Sequence, residues 1–163
     1  MIAVSNTTPL RYLIAINQQH LLEQLFDKVI VPAGVYEELT DPRTPDDIRH
    51  CVLSKPSWLE VRSVLDDSST FPLALHRGER EAILLAQIMR CDVILIDEQA
   101  GRTVALARNL PVSGTLGVME QADTKGLIDD FPRFLESLIR AGFFVHPSLK
   151  EKLLERHRNR RLL

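Results

Sequence analysis

The chain has 163 residues, 45% of them hydrophobic and 26% charged, with a net charge of −2 at neutral pH. That composition suits one soluble domain with a substantial core, and it lacks the overall basic excess common among nucleic-acid binders. No apolar run approaches the ~18 residues of a membrane span, and Met1 leads into IAVSNTT without a basic region and apolar signal core, so a cytoplasmic location with no membrane contact is expected.

Cys51 and Cys91 stand apart, without CxxC or other metal-ligand spacing, and read as small hydrophobes.

Ile2 to Val4 reads as a short strand running into Ser5-Asn6-Thr7-Thr8-Pro9, where Thr8 suits an N-cap and Pro9 the first helical position. Leu10, Leu13, Ile14, Leu21, Leu22, Leu25 and Phe26 then give helical spacing, broken near Asn17 to His20 into two helices. Val29 to Val31 is a second strand, closed by Pro32, and Val35 to Leu39 opens a helix carrying Glu37 and Glu38. A loop at Thr40 to Pro45 precedes a short helix from Asp46 to about Leu53, and Ser57 to Val64 has the period of a strand near a sheet edge.

Gly78 opens the most informative stretch, GEREAILLAQIMRCDVILIDEQAGR. A helix from Glu79 to Arg90 at ~1.5 Å per residue descends roughly 18 Å. A strand from Asp92 to Ile96 at ~3.3 Å per residue climbs back roughly 16 Å, so Glu79 and Asp97 finish at the same level. Beyond them the pattern predicts a helix from about Thr103, a strand around Pro111 to Ser113, a tight turn at Gly114 to Gly117, and helices over Val118 to Lys125, Phe131 to Ala141 and Ser148 to His157. The tail places Lys150, Lys152, Arg156, Arg158, Arg160 and Arg161 against only Glu151 and Glu155. It reads either as a solvated helix end with cations at its negative pole or as a contact for RNA or a partner protein.

Strands alternating with helices predict an α/β fold with a parallel sheet, whose binding sites lie beyond the carboxyl ends of the strands. Asn6, Glu38, Glu79, Asp97 and Thr115 are all expected on that edge. Three carboxylates gathered there repel one another unless a cation neutralises them, and an all-oxygen set favours Mg²⁺ or Mn²⁺ over zinc. His20, His50, His76, His146 and His157 are scattered and read as surface or core residues. A hard ion in an open carboxylate site suits phosphodiester hydrolysis. Thr115 and the amides near it are candidates to hold a phosphate oxygen, and Arg102 either meets the same phosphate or pairs with Glu98.

The segments VSNTTPL, VPAGVYEEL, GEREAILLA, VILIDEQAGR and VSGTLGVMEQADTKGLI, in this order, resemble the PIN-domain superfamily of metal-dependent ribonucleases, within it the VapC-like toxin branch. The resemblance implies a PIN-like three-layer fold with a central mostly parallel sheet flanked by helices, over residues 1–145, with 146–163 as a basic helical tail of the same domain. It also implies a four-acid Mg²⁺ or Mn²⁺ site, RNA as substrate, a homodimer, and a small cognate antitoxin as partner. The family's second, third and fourth acids fall on Glu38, Glu79 and Asp97, while the position of the first acid is Asn6. Asparagine still offers a carbonyl oxygen but removes one negative charge, which Glu98 is placed to replace. Two functions follow from this departure: a toxin-type endoribonuclease, or a catalytically weakened module that binds RNA or a partner protein.

Overall fold

A computed structural model describes all 163 residues. The chain runs β1 (Ile2–Ser5), α1 (Thr7–Ala15), α2 (His20–Leu25), β2 (Lys28–Pro32), α3 (Ala33–Thr40), α4 (Asp46–Leu53), β3 (Leu59–Arg62), α5 (Arg77–Met89), β4 (Val93–Leu95), α6 (Gln99–Ala107), β5 (Val112–Ser113), α7 (Thr115–Thr124), α8 (Phe131–Arg140) and α9 (Pro147–Arg161). The strands form one parallel sheet in the order β3-β2-β1-β4-β5, flanked by helices, so this is an α/β fold. The central strands are short apolar runs with no polar alternation, as expected where helices cover a parallel sheet. Val4, Ile30 and Ile94 are fully enclosed in a cluster that also holds Ile83, Leu75 and Leu110.

Register positions the functional edge. Ser5 lies level with Leu95, and the Asn6 amide continues the ladder by donating to the Leu95 carbonyl at 3.0 Å. Asn6 and Asp97 therefore emerge together from β1 and β4. From β1 the sheet grows through β2 and β3 on one side and through β4 and β5 on the other, so these residues sit at the point where strand order reverses, where open parallel sheets bind ligands.

Two compact units divide the chain, Met1–Thr115 and Leu116–Leu163. The first contains the whole sheet. In the second, α8 buries Phe131, Phe134, Leu135 and Leu138, a single helical stripe, and Asp130 caps it by accepting from the Arg133 amide at 3.0 Å. Three of the six tail cations, Lys150, Arg156 and Arg160, are paired with acids inside this unit. Arg156 forks onto Glu120 at 2.8 and 3.1 Å, Arg160 and the His157 ring meet the buried Asp123 at 2.8 and 2.9 Å, and Lys150 reaches Glu136 at 2.6 Å. No helix is long and apolar enough to cross a membrane.

Three helix starts differ from the sequence reading, two of them because of contacts from distant elements. α1 begins at Thr7 rather than after Thr8, because the Thr8 hydroxyl donates to the distant Glu98 carboxylate instead of capping its own helix. α6 begins at Gln99 rather than Thr103, with Glu98 in extended conformation as its N-cap. α7 begins at Thr115, so the expected tight turn at Gly114 to Gly117 is the first turn of a helix whose leading amide is satisfied by Asp97, 18 positions earlier in the chain. Caps supplied from another element leave no trace in a local pattern.

Candidate active site

Each acid at the edge has a structural reason for its place. Glu79 is the third residue of α5, and its Oε2 accepts from the His76 amide at 2.9 Å, which ties down the helix start and fixes the carboxylate at the mouth of the sheet. Glu38, in α3, accepts at Oε2 from the Thr7 hydroxyl at 2.5 Å. It lies against Gly78, where an added Cβ would come within 3.0 Å of its Oε1. Glu98 receives the Asn6 side-chain amide on Oε2 at 2.8 Å and the Thr8 hydroxyl on Oε1.

Asn6, Glu38, Glu79 and Glu98 line one cleft of about 310 Å³, together with Thr7, Thr8, Arg11, His76 and Gly78. Four of the expected residues are therefore brought together. The hydrogen bond to Glu98 orients Asn6 so that its amide nitrogen is engaged and its Oδ1 is buried with no hydrogen-bond partner. A buried acceptor without a donor is costly unless something outside the chain satisfies it. Glu38 Oε1 and Glu79 Oε1 make no hydrogen bond either, and Gly101, lacking a side chain, leaves room near the latter.

Asp97 is placed differently. Its Oδ1 accepts from the Thr115 amide at 2.8 Å and its Oδ2 from the Thr115 hydroxyl at 2.6 Å. Burial pushes its carboxyl above the ordinary value despite these two hydrogen bonds and nearby Arg102, and the charge of Glu98 adds to the rise. The phosphate role expected for Thr115 does not survive this geometry. Thr115 is fully buried, and both its donors are directed at Asp97. Arg102 donates from Nη1 to the Ile96 carbonyl at 2.9 Å and forms no ion pair with Glu98.

Sequence reasoning missed other residues. His76, read as a bystander, lines the cleft because its own amide anchors Glu79. Thr7 and Thr8 reach Glu38 and Glu98, and the hydroxyl-rich run Ser5 to Thr8 was the available signal. Glu81 is buried, accepting from the Gly34 amide at 2.7 Å and from Arg77 at 2.8 Å. It supplies the start of α3 with the acceptor that Pro32 at its N-cap lacks.

The donor set fits a hard cation. It is all oxygen, it includes three unengaged acceptors on Asn6, Glu38 and Glu79, and it carries excess negative charge. No group of three or more His, Cys, Asp or Glu side chains is gathered closely enough to hold a metal ion by itself. An ion that keeps much of its hydration and takes the rest from a phosphate needs none.

A family model of the PIN domain matches residues 2–159. Among solved structures, a PilT N-terminus domain protein from the hyperthermophilic archaeon Sulfolobus solfataricus aligns over 90% of this chain and 100% of its own, at 13% identity and a TM-score of 0.48. No curated protein matches the chain in sequence.

Proposed function

The chain belongs to the PIN-domain family, a nuclease fold whose enzymes generally use divalent metal ions, and on that premise we propose that it is a Mg²⁺- or Mn²⁺-dependent endoribonuclease of toxin type. The observation that carries the reading is the buried, unpartnered Asn6 Oδ1 in the same cleft as Glu38 and Glu79. Asn6, Glu38 and Glu79 would hold the ion through their unengaged oxygens, with Glu98 and Asp97 supplying the nearby negative charge. Three protein oxygens suit Mg²⁺ or Mn²⁺, because an octahedral ion then has positions left for water and substrate. When bound, such an ion polarises a phosphoryl oxygen and lowers the pKa of water.

The chain's own residues prepare that site. Glu98 engages the Asn6 amide nitrogen and so leaves the Asn6 oxygen as the unpartnered atom, and it keeps a negative charge beside the position where the family has its first acid. Thr8 holds Glu98 in place, and Thr115 holds Asp97. Glu38 or Glu79, whichever is left partly free, is available to accept a proton from attacking water. The toxin role, a small cognate antitoxin and a homodimer belong to the same proposal and are supported by the motif resemblance alone.

The test is cleavage of single-stranded RNA with Mg²⁺ or Mn²⁺, with chelator, and by Glu79→Gln and Asp97→Asn. Cleavage that depends on the metal and falls at least a hundredfold in Glu79→Gln is expected. Cleavage that persists in chelator and in both variants refutes the reading.

A further inference from the structure

One cation at the cleft has no task inside the protein. Arg11 is exposed on α1, one helical turn beyond Thr7 and so on the same face. It lines the carboxylate cleft with Glu38, Glu79 and Glu98, yet it makes no hydrogen bond or ion pair with any of them. It also lines a second cleft of about 240 Å³, formed with Thr7, Glu38, Leu39, Asp41, Arg43 and Thr44. The two clefts share Thr7, Arg11 and Glu38, so the second continues the first past Glu38.

The other guanidinium of the second cleft is already engaged. Arg43 forks onto Asp41 at 2.9 and 3.0 Å, and that contact holds the Asp41 carboxyl down at about 2. Arg11 is thus the unpaired cation where the clefts join. A guanidinium beside acids that it does not pair with is free for an anion from outside, and its planar fork matches phosphate.

Resting on the ribonuclease reading above, we propose that Arg11 is a substrate-binding residue that grips an RNA backbone phosphate next to the scissile one and leads the strand from the carboxylate cleft into the cleft beside Arg43. The contact is to the backbone and carries no base specificity. It also explains how a slightly acidic chain with a carboxylate-lined centre admits a polyanion, since the local cation offsets repulsion at the entrance.

The experiment measures binding of a fluorescein-labelled, 2′-O-methyl single-stranded RNA oligonucleotide by anisotropy, with Ca²⁺ in place of Mg²⁺, across a salt series. Wild type, Arg11→Ala and Arg11→Lys are compared on two unrelated sequences, with thermal melts to verify folding. Arg11→Ala is expected to weaken binding about tenfold on both sequences and to lower the salt slope by ~0.7, while Arg11→Lys restores the slope and part of the affinity. An Arg11→Ala protein that matches wild type in affinity and slope overturns the inference and leaves the ribonuclease reading standing. Wild-type protein that neither binds nor cuts RNA overturns both.

Discussion

The two halves of the sheet edge hold their carboxylates in opposite ways. Beyond β4, Asp97 has both oxygens occupied by Thr115 and starts a helix; beyond β1, the cleft leaves one oxygen free on each of Asn6, Glu38 and Glu79. Identical chemistry is thus used up in intrachain hydrogen bonds on one side and left with unengaged oxygens on the other. The difference shows that proximity of acids to a sheet edge does not by itself make them equivalent ligands. Two unit charges ~4 Å apart interact by about 4 kcal/mol at an effective dielectric of ~20, so an acid without donors around it stays ionised more readily beside a cation. Asp97 has donors of its own, although burial still outweighs them and pushes its carboxyl above the ordinary value.

The largest expected effect breaks the architectural half. Asp97→Ala leaves the buried Thr115 amide and hydroxyl without their acceptor, which should cost about 2–4 kcal/mol of unfolding free energy in urea titrations. Gly114→Ala places a Cβ 2.5 Å from Asp97 Oδ1, and displacing the carboxylate should cost about 1–3 kcal/mol in the same assay. If both variants unfold like wild type, Asp97 has no architectural task and the two halves are alike.

The smallest effect is expected on the other side. Glu38→Gln removes a charge from an exposed residue whose carboxylate accepts a single hydrogen bond, from the Thr7 hydroxyl, and metal-free stability should stay within about 0.5 kcal/mol of wild type. A larger loss would mean that Glu38 holds the fold together as Asp97 does.

The same contrast explains what the sequence disclosed. Strands and helices were legible because apolar periodicity is local: α4 spans Asp46–Leu53 as read, and β3 lies at the sheet edge. Asn6, Glu38, Glu79 and Asp97 were placed on one edge by strand ends and element lengths alone. Which of their oxygens would be free was not legible, since it depends on Thr7, Thr8, His76 and Thr115, each acting across the chain or through its backbone. The partners that Thr115 and Arg102 take inside the chain were not legible for the same reason. Each has the chemistry of a phosphate contact, and each is already occupied by a nearer group. The buried role of Glu81 was not legible because nothing in the sequence links it to the Gly34 amide, 47 positions earlier.

The central claim is that the β1 side of the edge is an oxygen site for a hard divalent ion. Calorimetric titration of Mn²⁺ into the purified protein tests it most directly, with Glu38→Gln and Glu79→Gln as partners to wild type. One bound ion is predicted, with affinity at least tenfold lower in each variant, equivalent to about 1.4 kcal/mol or more. Mn²⁺ binding that is absent from wild type, or undiminished in both variants, would contradict it.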